Sequence, residues 1–479
     1  MNQNAIDFVP DIVADEQILT KYRKPKQDLY APISNIAYDQ VNSAFGIALH
    51  MHQPTIPASG DDLSRAKLIS NLQYMMEHQN IGDNHNAPVF MNCYQRMADI
   101  IPELVNKEKN PRVMLDYSGN LFWGLQQMEG GRALKDLKRI TGDPKYFRYA
   151  EWLGTMWGHA VVSSTPIPDI KLHMQSWLQH FGSIFGNEAL SRVKGFSAPE
   201  MHLPIHPDVC YEYVQALKEC GYQWLLVQEH TIQNLDGSGI RRPHFPHRLV
   251  AKNFLGEVQE ITVLIKTQGS DTKLVAQMQP FYEAKTRNRE DYQGKNFPAY
   301  VVQIGDGENG GVMMNEFPPA YAIAFDKIGT AGTVAMNGSE YLEFIKMKTG
   351  IQESDFIGVQ PLMQNRVWEF FKNPGPGAAD RAIAAAKQKY HDFNLDRASW
   401  TNNINWVQGY ENVLDPMNKL SAAFHRRFDP HPEQKKSTCY RQALLYLLCS
   451  QTSCFRYWGQ GLWTDYAREI CQRGMGLVG

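Results

Sequence analysis

Short apolar runs alternate with longer stretches of helical spacing through most of the chain, and each apolar run stops abruptly at polar residues. AFGIALH (44–50) is the first run and ends in HMHQP. RVMLDYSG (112–119), VKGFSAPE (193–200) and WLLVQEH (224–230) repeat the pattern, as do 261–266, 300–304 and 333–335, and AVVSS (160–164) reads as a short strand. Between them, apolar positions recur at the period of an amphipathic helix over 64–79, 89–107, 170–185, 208–220, 271–285 and 339–348. Strands apolar on both faces, alternating with helices, predict an α/β fold with a parallel, helix-covered sheet or barrel.

The cluster KNPGPGAAD (372–380) breaks this alternation. Beyond it only helical spacing recurs, over 381–393, 403–428, 432–453 and 462–471, with Asp380 placed to cap the first helix. Residues 1–40 are polar, proline-punctuated and aperiodic, which predicts an extended arm lying on the surface or partly disordered. The expected organisation is an arm over 1–40, a barrel over 41–372 and a helical domain over 373–479.

Composition removes several function classes. The chain has 479 residues, 43% apolar and 20% charged, as in ordinary globular proteins, so low-complexity and wholly disordered classes are out. Its net charge of −2 comes without any block of like charge, so neither a nucleic acid nor a membrane surface is an expected partner. No apolar window reaches the length of a membrane-spanning helix, and the acidic start lacks the features of a signal peptide. Seven scattered cysteines are no disulfide framework, which predicts reduced thiols and a cytoplasmic location. Aromatic residues make up 11% of the chain; most suit a core, and the surplus is compatible with sugar-stacking surfaces.

Three polar clusters fall at predicted carboxyl ends of strands: HMHQP (50–54), SAPE (197–200) and GDGENGG (305–311). In a parallel barrel these ends share one rim, so residues distant in sequence converge there. Glu200 and Asp306 each follow an apolar strand, and paired carboxylates across a scissile bond are what glycoside hydrolysis requires. The same carboxylates equally suit helix caps or surface ion pairs. Glu308 could raise its neighbour's pKa or bind a sugar hydroxyl. His50 and His52 point to one face of a strand, where they suit sugar hydroxyls, satisfied interior histidines, or a metal-binding HxH pair. No later histidine stands at a recognisable ligand spacing, so no metal is expected. GDGENGG lacks the Lys-Ser/Thr of a phosphate loop and the order of a dinucleotide fingerprint, so no cofactor is expected either.

Taken in order, these motifs resemble the conserved regions of glycoside hydrolase family 57, the α-glucan-active family. His50, His52, Gln53 and Pro54 match its HxHQP, Pro199-Glu200 matches the pair closing its third region, and Asp306-Gly307-Glu308 with Gly310 matches its D-x-E followed by glycine. The resemblance covers roughly 44–470. It implies an incomplete (β/α)7 barrel followed by a helical domain, and a retaining mechanism on α-linked glucans, by hydrolysis or by chain transfer; the expected cytoplasmic location points to glycogen or maltodextrin. The resemblance makes Glu200 the nucleophile and Asp306 the general acid/base, with His50, His52 and Gln53 in the subsite of the attacked sugar. SQTSCFRYWGQGLW (450–463) stands as the fifth region, which makes Trp458 and Trp463 sugar platforms or, equally, helix-packing core. The chain also departs from the family. Ser197 stands where many members have Trp, 158–168 offers Val161 and no matching His, and Cys454 takes the place of an acid. Two alternatives therefore stay open: a catalytically weak carbohydrate-binding or regulatory homologue, and a metal-dependent hydrolase using His50 and His52.

Overall fold

The strand Val41–Met51 is the hub of a mixed α/β fold. It pairs in parallel with Lys295–Asp306 along one edge, and with Val113–Tyr117 and Gly332–Ala335 along the other. Parallel pairing continues from Val113–Tyr117 to Ala150–Leu153. It also runs from Gly195–Ser197 through Trp224–Gln228 and Val258–Lys266 to Lys295–Asp306. A parallel bridge between Gly154 and Phe196 joins these two arms, so the pairing closes on itself. All carboxyl ends in this ring therefore emerge on one side. The computed structural model describes residues 7–13, 28–59, 62–267, 272–309, 311–400 and 405–479, so Gly310 of the glycine-rich segment lies outside it.

The strands read as unbroken apolar runs because both of their faces are covered. Every residue of Val113–Tyr117 and of Trp224–Gln228 is buried. Pro207–Glu219 packs on Val258–Lys266, and Gly338–Thr349 packs on Lys295–Asp306. Gly338–Thr349 opens with a capping box between Asn337 and Glu340. Glu340 also accepts two hydrogen bonds from the buried Arg112 guanidinium, at 2.7 and 2.9 Å, which keeps both charges paired out of water. The helices Glu411–Phe428, Thr438–Ser450 and Leu462–Val478 pack on one another. Among the described residues no helix is long and apolar enough to cross a membrane.

Several expectations need correction. The described parts of 1–40 are held more firmly than a loose arm, since Ile12, Val13, Tyr30 and Ala31 are buried while Phe8, Asp11 and Ile33 stay exposed. Asp7 accepts from the Leu68 N–H and the Tyr446 hydroxyl, while Glu343 accepts from the Tyr30 and Ala31 N–H groups. Pinning by distant side chains leaves no periodic signal. Residues 1–6 and 14–27 lie outside the described part. AVVSS is not a strand; the strand is Ala150–Leu153, where Glu151 disguises the pattern. Glu151 is buried and accepts from the N–H and hydroxyl of Ser339, and burial pushes its pKa up to about 8 against those hydrogen bonds. Of the helix expected at 64–79 only Asn71–Glu77 forms, because Lys67–Ser70 pairs antiparallel with Thr55–Ser59. Asp380 lies within the first turn of Ala378–Lys389 and does not cap it; that position falls to Gly377, at φ 67°. Of the helix expected over 403–428, residues 403–404 lie outside the described part, 405–410 are not helical, and the helix is Glu411–Phe428.

The helices after residue 437 meet the segment that follows Ala150–Leu153 at a short seam. Ala160 bridges Thr452, the Ser453 N–H donates to the His159 carbonyl, and a Cβ on Gly158 would lie 2.0 Å from the Leu448 carbonyl oxygen. Backbone cannot yield there as a flexible side chain can. Gly158→Ala is expected to cost about 3 kcal/mol of stability. A lower urea midpoint with an unchanged denaturant slope would report it.

Candidate active site

At the carboxyl ends of three adjacent strands, the pairing register sets His50 beside Asp116 on one edge and beside Asp306 on the other. Above them opens a cavity of about 750 Å³. All the residues singled out by sequence, His50, His52, Gln53, Glu200, Asp306, Glu308, Trp458 and Trp463, line it.

Glu200 follows the short strand Gly195–Ser197 in a turn over Pro199–Met201, and its φ is 58°. A non-glycine residue held there carries strain of about 1 kcal/mol or more, which the surroundings must offset. Trp400 does much of this, donating its backbone N–H to the Glu200 carbonyl at 2.9 Å and its indole N–H to Oε2 at 2.5 Å. Burial raises the Glu200 pKa, hydrogen bonds from Ser453 and Trp400 oppose that, the Asp306 charge adds to the rise, and His50 lowers it. Asp306 faces solvent at the end of its strand. The turn after it is fixed by Gly307, whose N–H donates to the His50 carbonyl at 2.7 Å and whose carbonyl accepts from Arg96 at 3.0 Å. A Cβ on Gly307 would meet the end of the Met51 side chain at 2.1 Å, so a larger residue there would have to displace that chain. Glu308 accepts from the His52 N–H through Oε1, while Oε2 is buried with no hydrogen-bond partner. Burial, with the Asp306 charge behind it, pushes the Glu308 pKa up to about 8. At neutral pH it is a carboxylic acid able to donate to a hydroxyl.

The histidines form a tight group. His50 contacts Asp116 through Nδ1 at 3.0 Å and His159 through Nε2 at 2.8 Å. Burial lowers the His50 pKa, but the charge and hydrogen bond of Asp116 outweigh it and carry the group to about 10. His159 stacks on His52 with centroids 3.9 Å apart, and burial holds both well below the usual histidine range. His52 Nδ1 meets Ser118 at 2.7 Å, and its Nε2 faces Thr452 and Cys454. Gln53 donates to the Tyr94 hydroxyl and accepts from Asn71, each at 3.0 Å. Among the described residues, no group of three or more His, Cys, Asp or Glu is arranged to hold a metal ion. Trp458 is 47% exposed and leans on Trp463, ring centroids 4.8 Å apart, while Trp463 packs onto Phe455 and Tyr466. Trp458 thus presents a ring to the cavity and Trp463 supports it.

No protein-family model and no curated protein sequence matches the chain. Solved structures match it by shape. A 4-α-glucanotransferase from Thermococcus litoralis superposes with a TM-score of 0.54 at 17% identity, covering 91% of this chain and 60% of its own. A family 57 branching enzyme from Thermococcus kodakaraensis gives 0.53 at 11% identity, covering 90% of this chain and 88% of its own. A family 57 branching enzyme from Pyrococcus horikoshii gives 0.50 at 11% identity with the same coverage. The fold is that of family 57. This chain spans about 60% of the glucanotransferase's length.

On this family 57 fold the cleft holds side chains that sequence reading passed over. Asp116 ends the strand Val113–Tyr117, so the rule that picked out Glu200 and Asp306 applies to it as well. His159 sits in the segment read as lacking a matching histidine, at φ 55° and between His50, His52 and Ser453. Ser453 had only its place in the fifth region to mark it. Trp400 reaches Glu200 from an irregular stretch, and no sequence signal announced it.

Proposed function

We propose that this chain is a retaining glycosidase or transglycosylase acting on α-linked glucans. The observation that carries this reading is Glu200, a carboxylate on strained backbone, clamped by Trp400 and Ser453, in one cavity with Asp306. Glu200 attacks the anomeric carbon and forms a covalent glycosyl-enzyme, while Asp306 protonates the departing glycosidic oxygen. Asp306 then takes the proton of an incoming water or sugar hydroxyl, and the bond to Glu200 breaks. His50, His52 and Gln53 line the subsite of the attacked sugar, Glu308 donates to one of its hydroxyls, and Trp458 offers a face to a further glucose ring. The closed ring of parallel strands is read as the (β/α)7 barrel, over 41–372, and the helices of 373–479 as the domain that completes the cleft.

A weakly catalytic carbohydrate-binding homologue is the second reading. It is favoured by Cys454, which stands beside His52 where the family usually has an acid; burial pushes its thiol pKa far up, so it brings no charge.

Product analysis with maltoheptaose and with glycogen separates the two. The proposal expects new oligosaccharides from the unmodified protein. Longer and shorter products together mean chain transfer, shorter products alone mean hydrolysis, and new branch points mean branching. Saturable binding of maltoheptaose with no product on either substrate would sink the catalytic reading and leave the binding one.

A further inference from the structure

A line of hydrogen bonds crosses the floor of the cleft from Asp116 to Ser453, beside Glu200. Asp116 Oδ2 lies 3.0 Å from His50 Nδ1, His50 Nε2 lies 2.8 Å from His159 Nε2, and His159 Nδ1 lies 2.8 Å from Ser453 Oγ. The Ser453 hydroxyl acts on the Glu200 carboxylate as a donor that lowers its pKa, and His159 Nδ1 itself lies 3.9 Å from Glu200 Oε1. His159 and Glu200, near the far end of the line, both hold left-handed backbone, at φ 55° and 58°. Such strain persists only where surrounding contacts fix the residue.

The positions of the protons follow from the chemistry of each group. Two ring nitrogens 2.8 Å apart need one proton between them, so His50 or His159 must donate. Asp116 is fully buried and its Oδ1 has no partner, so its charge requires a cation at His50. His50 is therefore protonated on both nitrogens and donates through Nε2. His159 accepts at Nε2 and, being neutral, carries its proton on Nδ1, which it donates to Ser453 Oγ. The single Ser453 proton is left for Glu200.

We propose that Asp116, His50, His159 and Ser453 form a one-directional line of donors that keeps Glu200 ionised and oriented for attack, an inference that rests on Glu200 being the nucleophile. The four are positioning residues, and the line moves no net proton. It answers a specific difficulty. Burial favours the neutral acid at Glu200, and a donor at the end of a polarised chain favours the anion. The titratable or charged groups near Glu200 are Asp306, His50, His159, Arg456, Cys454 and Tyr457. Truncating Ser453 leaves the side chains of all six in place.

The test is the pH profile of kcat/KM on maltoheptaose for the full chain, its Ser453→Ala and Ser453→Thr variants, and Glu200→Gln. Activity falls on the acid side as Glu200 takes up a proton, and removing a donor to the carboxylate raises the pH at which this happens. Ser453→Ala should move the acid limb up by about one pH unit. Ser453→Thr, which retains the hydroxyl, should return it to the original position. An acid limb unmoved in Ser453→Ala, with Glu200→Gln inactive, overturns the line; activity retained in Glu200→Gln overturns the nucleophile assignment beneath it. Nitrogen-15 spectra of the histidines in the unmodified protein give a second readout that needs no variant. His159 should be neutral with its proton on Nδ1 and His50 doubly protonated at pH 7, and a proton on His159 Nε2 would refute the proposed direction.

Discussion

Glu200→Gln is expected to lower turnover on maltoheptaose by about 10,000-fold or more, with substrate affinity kept within a few fold. The amide has the shape of the carboxylate, so Trp400 can still donate to the remaining oxygen, and the turn at φ 58° loses none of its backbone support. What disappears is the anion that forms the bond to carbon. Glu200→Ala separates this from a loss of structure. Removing the side chain opens room beside the anomeric carbon, and a small anion such as azide can enter and attack. For a retaining enzyme of α-linkages that reaction yields a glycosyl azide of inverted, β configuration. Measured by product chromatography and NMR, such a product would identify the missing group as the nucleophile. Full activity in Glu200→Gln, or azide without effect on Glu200→Ala, would assign the reaction to another residue.

How far the sequence carried this picture depends on the distance over which each feature is determined. The strand ends were legible because a parallel ring buries its strands on both faces and delivers their last, polar residues to one cleft. HMHQP, Glu200 and Asp306 follow from that single contrast. Ala150–Leu153 was missed because Glu151 is satisfied by Ser339, 188 residues away, and a polar residue so placed reads as surface. Trp400 was illegible for a related reason. It lies in irregular chain, and its value comes from reaching Glu200, 200 residues earlier. His159 and Ser453 fall between these cases, since each is a common residue type made informative only by the seam between Ala160 and Thr452. The line from Asp116 to Ser453 depends on distances below 3.1 Å among segments the sequence cannot align. Residue types at strand ends were readable, whereas the hydrogen-bond order among them was not.

Asp306→Asn should divide substrates by their leaving groups. A natural glucan departs as a sugar alkoxide, which needs a proton as the bond breaks, so its kcat should fall by a factor of about 100 to 10,000. An aryl glycoside with an acidic phenol needs little help to leave, so formation of its glycosyl-enzyme should stay near the original rate. The second step, deprotonation of the acceptor, would then be limiting, and an initial burst of phenol should appear. Glu308 is the rival acid, since it is protonated at neutral pH and its Oε2 is buried with no hydrogen-bond partner. The two are separable by sign. The negative charge of Asp306 helps to hold the Glu308 pKa up near 8, so Asp306→Asn lowers it. If Glu308 were the proton donor, Asp306→Asn would leave activity on glucans largely intact and move the alkaline limb to lower pH, because the acid form would be lost earlier. If Asp306 is the donor, the glucan rate collapses across the whole profile while the aryl glycoside still shows its burst. Equal losses on both substrates would mean that Asp306 organises the cleft and does not transfer the proton.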